Sequence, residues 1–208
     1  MKVLLINGSP RKEGNTNLAL QAVAQQLNKH GVDSEMVWVG NRPVRGCIAC
    51  NKCRDNGKKQ RCIFNDDPAN TIIEKMEQCD AIIIGAPVYY GQPAGQMLCM
   101  EQRMLYAGRD AFAGKPASAI AVCRRGGSTA SYQTLLMPFQ MLNMPIVTSQ
   151  YWNIVFGSKP GEAALDEEGL QTMRTLANNM AWMLNKIHGV ATTDAPVNEP
   201  VVYQNFIR

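Results

Sequence analysis

The sequence lacks a long hydrophobic run and a strong charge of either sign. No apolar stretch approaches the ~20 residues that a membrane-spanning helix needs, and the first apolar segment ends at Asn7, too early for a secretory signal. We therefore expect a cytoplasmic protein with no membrane partner. The formal net charge is only +4, and the basic residues form short clusters. This distribution favours small anionic ligands over nucleic acid.

The sequence also lacks the even number of cysteines typical of a disulfide scaffold, because it has seven. Three are scattered singly through apolar surroundings and are expected to behave as small buried hydrophobes: Cys79, Cys99 and Cys123. The other four lie within sixteen residues at the spacing C-x2-C-x2-C-x8-C: Cys47, Cys50, Cys53 and Cys62. Thiols this close in a loop can turn toward one point, as a metal ion or an iron–sulfur cluster requires.

Short apolar runs alternate with segments of helical spacing along the chain. Buried strands are predicted at residues 2–6, 35–39, 81–85, 117–123 and 146–148. Amphipathic helices are predicted at residues 16–31, 68–76, 95–106, 132–139 and 173–187. This alternation predicts an α/β fold with a five-stranded parallel sheet that is covered on both faces.

Two segments depart from this alternation, although residues 1–188 are expected to form one domain. Residues 40–67, which hold the cysteine cluster, exceed the usual length of a connection between a strand and a helix, as functional loops often do. Residues 189–208 form a C-terminal tail that does not extend the pattern. The tail can pack on a partner subunit or lie along its own domain.

Unusual loops follow the first, third and fourth predicted strands, whose carboxyl ends lie at the sheet edge where ligands bind. The first loop, residues 8–17, places hydroxyls, amides and a guanidinium at a helix N-terminus, which favours an anion such as phosphate. It matches neither G-x-G-x-x-G nor G-x-x-x-x-G-K-[ST], so the nucleotide sites built on those patterns are disfavoured. A polar turn with Thr16 as the helix N-cap is the alternative.

The other two loops supply a wall and a basic turn. Residues 86–93 hold two tyrosines flanked by proline and glycine, a stiff and partly apolar wall suited to a planar ring. Alternatively, these tyrosines cover the helix behind them. Residues 124–129 combine two arginines with two glycines, so the backbone can approach a ligand whose negative charge the arginines stabilise. A solvated basic turn capped by Ser128 is the alternative there.

These motifs resemble those of a known family. The segments GSPRKEGNT and APVYYGQPAG and the glycine loop after the fourth strand are similar to those of the NAD(P)H-dependent FMN reductases. The resemblance implies a flavodoxin-like three-layer sandwich that binds FMN. It assigns the FMN phosphate to Ser9, Arg11, Asn15, Thr16 and Asn17. It places the isoalloxazine ring against Pro87, Val88, Tyr89, Tyr90 and Gly91, with Arg124, Gly126 and Gly127 on its far side.

The cysteine segment narrows the resemblance to the iron–sulfur flavoproteins, whose C-x2-C-x2-C-x4–7-C motif holds a 4Fe–4S cluster. Here eight residues separate the third and fourth cysteines. Three interpretations stay open for Cys47, Cys50, Cys53 and Cys62: a 4Fe–4S cluster, a structural zinc ion, or a metal-free loop with buried or redox-active thiols. Lys58, Lys59 and Arg61 would offset the charge of a thiolate-bound cluster, or simply form a solvated basic loop.

The resemblance implies an FMN-dependent oxidoreductase that passes electrons from NAD(P)H or a ferredoxin-like donor to a small acceptor such as a quinone, free flavin or iron. Because the flavin carries the chemistry, no side chain is expected to act as a general acid or base. The alternatives are an electron-transfer partner without small-molecule turnover and a flavin- or metal-sensing module.

The resemblance further implies a homodimer or homotetramer in which a neighbouring subunit completes the flavin pocket. Residues 149–153 and the C-terminal tail are the candidate contacts. Tyr151 and Trp152 can instead cap the sheet within their own subunit.

Overall fold

The apolar runs form a sheet in the computed structural model, which describes residues 1–55, 60–189, 199–200 and 202–204. Its strands are β1 (Lys2–Asn7), β2 (Asp33–Trp38), β3 (Ala81–Tyr89), β4 (Gln92–Pro93), β5 (Ala117–Cys123) and β6 (Ile154–Phe156). Over the described residues, five strands run parallel in the order β2-β1-β3-β5-β6, and β4 pairs antiparallel with the end of β3. The predicted five-stranded parallel sheet is confirmed.

Helices cover both faces of this sheet. Within the described ranges they are α1 (Asn15–Lys29), α2 (Ala69–Glu77), α3 (Gly95–Ala107), α4 (Arg109–Phe112), α5 (Ser128–Gln140) and α6 (Glu167–Ile187). Helices α1 and α6 pack on one face through residues such as Leu20 and Leu176. Helices α2, α3 and α5 pack on the other through residues such as Ile72, Met100 and Leu135. The result is a three-layer sandwich, in whose described part no helix is long and apolar enough to cross a membrane.

The fifth strand lies later in the chain than predicted. At residues 146–148 the structure has only a single bridge, between Ile146 and Ala117, and the strand itself is Ile154–Phe156. The prediction at 146–148 is therefore wrong. It rested on the strand preference of three consecutive β-branched residues, which does not reveal where the pairing with β5 is interrupted.

The buried side chain of Asn153 explains this interruption. Its Nδ2 donates to Ser118 Oγ (3.0 Å) and to the carbonyl of Ala119 (3.1 Å). The Ser118 hydroxyl in turn donates to the carbonyl of Val147 (2.7 Å). These side-chain bonds replace strand pairing beside the first half of β5, so residues 148–152 leave the sheet before β6 begins.

The cysteine-containing insertion, residues 40–67, packs along α3. Gln96 Nε2 donates to the carbonyl of Gly40 (2.8 Å), and Tyr106 Oη donates to Asn51 Oδ1 (2.7 Å). The Arg54 guanidinium lies 4.2 Å from the centroid of the Tyr106 ring. A short 3-10 helix, Lys52–Arg54, lies among the described residues of the insertion. Two residues of its predicted basic loop, at 58 and 59, lie outside the described residues.

The described part of the C-terminal tail lies against α6 of its own chain. Gln171 Nε2 donates to the carbonyl of Pro200 (2.8 Å). The backbone N–H of Gln204 donates to Glu168 Oε2 (2.9 Å). These described residues lie along their own domain, and contact of the tail with a partner subunit stays a prediction. The rest of the tail, residues 190–198, 201 and 205–208, lies outside the described residues.

Candidate functional site

The loop after β1 leads into a helix whose first backbone donors have no side-chain cap. Helix α1 begins at Asn15, Gly14 occupies the cap position, and no side chain among the described residues accepts a hydrogen bond there. The alternative in which Thr16 is the N-cap is therefore wrong. Unpaired N–H groups and the positive end of the helix dipole favour an anion at this point.

A cavity of about 250 Å³ opens at this helix N-terminus. Eight residues predicted from the sequence line it: Ser9, Arg11, Asn15, Thr16, Pro87, Val88, Tyr89 and Arg124. The other five predicted residues are described but lie outside the lining: Asn17, Tyr90, Gly91, Gly126 and Gly127. The lining residues come from the carboxyl ends of the strands, where ligands bind in open parallel sheets.

Hydrogen bonds within the first loop fix its shape around Ser9. The backbone N–H of Arg11 donates to Ser9 Oγ (3.1 Å). The N–H of Ser9 donates to Asn7 Oδ1 (3.1 Å), and its carbonyl accepts from Trp38 Nε1 (2.7 Å). Because Ser9 Oγ acts as the acceptor in the loop, its own O–H remains available to donate to an anion in the cavity.

The side chain of Asn15 holds a neighbouring loop rather than pointing its amide at the cavity. Its Nδ2 donates to the carbonyl of Lys159 (2.9 Å). Its Oδ1 accepts from the N–H groups of Gly161 (3.0 Å) and Ala163 (3.2 Å). These three bonds tie the segment after β6 to the start of α1. What Asn15 can offer an anion is its backbone N–H, at the first position of the helix.

The two tyrosines after β3 separate at a tight turn. Tyr90 and Gly91 are the turn residues between β3 and β4, with φ values of +51° and +79°, as two-residue hairpins require. Tyr90 is fully exposed, whereas Tyr89 lines the cavity together with Pro87 and Val88. The wall predicted for a planar ring therefore consists of three consecutive residues, 87–89.

The same turn touches the loop after β5. Gly127 has a φ of +84°, and a Cβ placed there would lie 2.6 Å from Gly91 Cα. The approach is possible because neither residue carries a side chain. Gly91 and Gly127 thus join the second and third loops to each other, while Arg124 at the start of the third loop lines the cavity.

Sequence reasoning missed a fourth loop. Gly157, Ser158 and Pro160, which follow β6, also line the cavity. They were overlooked because the fifth strand was predicted before its true position, so the residues after β6 were not recognised as following a strand. A correct assignment of residues 154–156 would have found them.

The end of β5 contributes Val122 and Cys123 to the lining, which the sequence analysis also missed. Burial raises the pKa of the Cys123 thiol, and a hydrogen bond from Ser128 opposes this rise. The thiol therefore stays protonated at neutral pH and offers the cavity a small, weakly polar surface.

A second and larger cavity, of about 830 Å³, lies along the edge of the sheet at β6. Its lining includes Phe156, adjacent in sequence to the first cavity, and the aromatic pair Tyr151 and Trp152. The two rings lie 5.0 Å apart, and the residues are 56% and 52% exposed. This pair therefore does not form a buried cap on its own sheet.

The four clustered cysteines all line one small cavity against α3. Cys62, the member separated by the longest gap, is firmly held. Its N–H donates to Asn70 Oδ1 (2.8 Å) and its carbonyl accepts from Asn70 Nδ2 (2.9 Å). Its Sγ accepts from Nε and Nη2 of Arg103, each at 3.4 Å. The eight-residue gap therefore does not keep Cys62 away from the other three thiols.

The thiols share a cavity without converging on one ion-sized point. Within the described residues, no group of three or more His, Cys, Asp or Glu side chains is placed to hold a metal ion. A zinc site requires four thiolates at Zn–S distances of ~2.3 Å, whereas a 4Fe–4S cluster binds each thiolate to a different iron. All three interpretations of the four cysteines therefore stay open.

The charges around Cys53 disfavour free thiolates but do not distinguish a cluster from a single ion. Burial raises the pKa of its thiol, and the neighbouring Cys50 and Cys62 add to the rise. Thiols that disfavour one another's ionisation become thiolates together only when a cationic centre compensates their charge.

Comparison with known proteins shows to which family this chain belongs. A family model described as NADPH-dependent FMN reductase matches residues 1–159, which include all but one of the residues that line the 250 Å³ cavity. The chain belongs to the NADPH-dependent FMN reductase family. FMN binding and an oxidoreductase or electron-transfer function follow from this membership.

Two relatives of this FMN reductase family member each align with 90% of its length. An iron–sulfur flavoprotein of Methanocaldococcus jannaschii is 34% identical over 197 residues, covering 90% of this chain and 99% of the relative. An iron–sulfur flavoprotein of Methanosarcina thermophila is 31% identical over 193 residues, covering 90% and 97%. The predicted resemblance to this group is confirmed.

Solved structures agree with the fold of this FMN reductase family member. A flavodoxin from the domain Archaea superposes with a TM-score of 0.59 at 14% identity, covering 89% of this chain and 99% of that chain. At this identity the similarity concerns the fold alone. The predicted flavodoxin-like α/β sandwich is confirmed.

Proposed function

We propose that the protein passes electrons from NAD(P)H or a ferredoxin-like donor to a small acceptor, such as a quinone, free flavin or iron, using FMN and a 4Fe–4S cluster. The observation that carries the proposal is the uncapped N-terminus of α1, which opens into a cavity formed by the loops after β1, β3, β5 and β6. The names of the relatives and the four cysteines that line one cavity support the cluster.

The residues around the first cavity fit FMN. The N–H groups at the start of α1, the Ser9 hydroxyl and the Arg11 guanidinium would hold its phosphate. Pro87, Val88 and Tyr89 would lie against its ring. Bound FMN supplies hydride or single-electron transfer. The chain's own residues bind and orient it, and the buried Cys123 contributes a neutral surface at the end of β5.

A relay between proteins, without turnover of a small molecule, is the second candidate. The cavity of Cys47, Cys50, Cys53 and Cys62 favours it, because a cluster would give the protein a one-electron centre beside its flavin. Steady-state oxidation of NADH and NADPH by the FMN-loaded protein separates the two functions. Turnover with a quinone or ferric acceptor supports the reductase, and its complete absence supports the relay.

The phosphate contact can be tested with Arg11→Gln and with Lys12→Gln as the matched control. Lys12 is the neighbouring basic residue, and it lies over the Trp38 ring rather than in the cavity lining. A charge-assisted hydrogen bond contributes about 1.5–3 kcal/mol, so Arg11→Gln should weaken FMN binding by roughly 10- to 150-fold. Riboflavin, which lacks the phosphate, should bind both variants as it binds the unaltered protein.

The readout is flavin fluorescence, titrated with FMN-free protein. Equal losses of affinity for FMN and riboflavin in Arg11→Gln would contradict the assignment of the phosphate to this loop. So would an FMN affinity that Lys12→Gln lowers as much as Arg11→Gln does.

A further inference from the structure

Arg103 is a buried cation placed against the cysteine cavity. It lies on α3 and is 1% exposed, and its Nη1 forms an ion pair with the Asp67 carboxylate, which is also buried. Burial alone would lower the pKa of Arg103, but the hydrogen bonds with Asp67 and Cys62 outweigh that effect and raise it. The guanidinium is therefore charged at neutral pH.

The guanidinium reaches across the whole cysteine segment. Its Nη1 also donates to the carbonyl of Arg45 (3.3 Å), ahead of the first cysteine. Its Nη2 donates to the carbonyl of Phe64 (3.4 Å), after the last. Its Nε and Nη2 both donate to Cys62 Sγ. One side chain of α3 thus holds both ends of the cysteine segment and one of its four sulfurs.

Among the four clustered cysteines, Arg103 acts most directly on the sulfur of Cys62. Two N–H groups of Arg103 point at Cys62 Sγ, whereas Asp67 sits at Nη1 on the other branch of the guanidinium. The positive hydrogens therefore lie closer to the sulfur than the compensating carboxylate does. Hydrogen bonds to ligand sulfurs stabilise the more negative, reduced state of an iron–sulfur cluster and raise its reduction potential.

We propose that Arg103 is a positioning residue for the cluster, which fixes Cys62 as a ligand and raises the cluster's reduction potential through its two N–H···S hydrogen bonds. The inference rests on the proposed function, since it requires a cluster bound by the four cysteines. It separates two roles for basic residues near the cavity: Arg103 acts on a sulfur, whereas Arg61, adjacent to Cys62 in sequence, pairs with Glu77 and Glu74.

The test compares Arg103→Lys and Arg103→Gln with Arg61→Gln. Lysine keeps a charge opposite Asp67 but cannot also direct two N–H groups at Cys62 Sγ. Arg61→Gln removes a charge of the same kind next to Cys62 without removing a bond to sulfur. Each FMN-containing protein is reconstituted anaerobically with iron and sulfide, assayed for both, and titrated electrochemically with the reduced cluster followed by EPR.

At the midpoint potential of the unaltered protein, Arg103→Lys and Arg103→Gln should have a reduced-to-oxidised ratio about tenfold lower, equivalent to about 59 mV for a one-electron couple. Arg61→Gln should change this ratio less than twofold. A folded Arg103→Lys protein that loses iron while Arg61→Gln keeps it would also support the proposal, because it would show that Arg103 holds Cys62 in place.

The proposal is overturned if Arg103→Lys retains a full cluster at an unchanged potential, or if Arg61→Gln shifts the potential equally. Should Arg103→Gln fail to fold because Asp67 is left unpaired, Arg103→Lys decides alone. An unaltered protein that binds FMN but takes up no iron and sulfide would instead refute the cluster itself, and the proposal with it. That result is distinct from a loaded protein whose variants do not differ.

Discussion

The contact between Gly127 and Gly91 predicts that one methyl group will damage both the fold and the flavin site. We consider Gly127→Ala, with Gly126→Ala as the matched control. Gly127 has a φ of +84°, and its added Cβ would lie 2.6 Å from Gly91 Cα. At Gly126, no described atom other than those of Gly126 and its two chain neighbours lies within 4 Å of the corresponding Cβ position. The neighbouring glycine therefore tests the same substitution without the clash.

The expected loss of stability follows from three contributions. A residue with a Cβ in the left-handed region costs about 1–2 kcal/mol. Overpacking against backbone, which has to shift as a whole, costs about 1–3 kcal/mol. Alanine returns about 0.4–1 kcal/mol by restricting the unfolded chain. Gly127→Ala should therefore lower the free energy of unfolding by about 1–4.6 kcal/mol, with a midpoint of ~3 kcal/mol.

We also expect weaker flavin binding, because Gly91 can make room for the added Cβ only if the turn that follows the 87–89 wall moves. We expect FMN to bind Gly127→Ala at least about tenfold more weakly, a difference of roughly 1.4 kcal/mol. Urea denaturation measures the stability, and quenching of flavin fluorescence measures the affinity. If Gly127→Ala matches Gly126→Ala in both assays, the two loops do not depend on this contact.

Two further predictions concern buried polar groups. Glu101 is 1% exposed, its Oε1 has no partner among the described atoms, and burial raises its pKa well above 4.5. Folding stability should therefore fall as pH rises from about 4.5 through the folded-state pKa. Glu101→Gln should remove this slope when urea denaturation is compared at pH 5 and pH 8. Asn153→Ala should lower the free energy of unfolding by about 2–3 kcal/mol, because it leaves the carbonyl of Ala119 without the Asn153 donor. A loss below ~0.5 kcal/mol at pH 7 would argue against the bridging role of Asn153.

Local patterns in the sequence were sufficient for most of the sheet and helices. The apolar run at residues 2–6 and the spacing of Leu20, Val23 and Leu27 correspond to β1 and α1, because buried strands and amphipathic helices each have a period that a short window displays. Eight predicted site residues lie around one cavity for the same reason. These eight residues lie at the ends of strands, and the apolar pattern of the sequence predicts where those strands are.

The features that the sequence did not reveal involve side chains that act over long sequence distances. Asn153 interrupts the edge of the sheet by bonding to Ser118 and Ala119, which no local window reveals. Asn15 was assigned to an anion from its place in a polar loop, yet its amide bonds to residues near position 160. Cys62 was separated from its neighbours by a long gap, and its position depends on Arg103, 41 residues away.

The short final strand also decides how the sheet can meet other chains. β6 is an edge strand of three residues, and its outward N–H groups are already occupied: that of Phe156 donates to Asp166 Oδ2 (2.6 Å), and that of Ile154 donates to the carbonyl of Trp152 (2.7 Å). An edge without available donors is a poor template for an added strand. The break at Asn153 and the short strand after it thus disfavour edge-to-edge pairing at β6, whereas the opposite edge of the sheet is the six-residue strand β2.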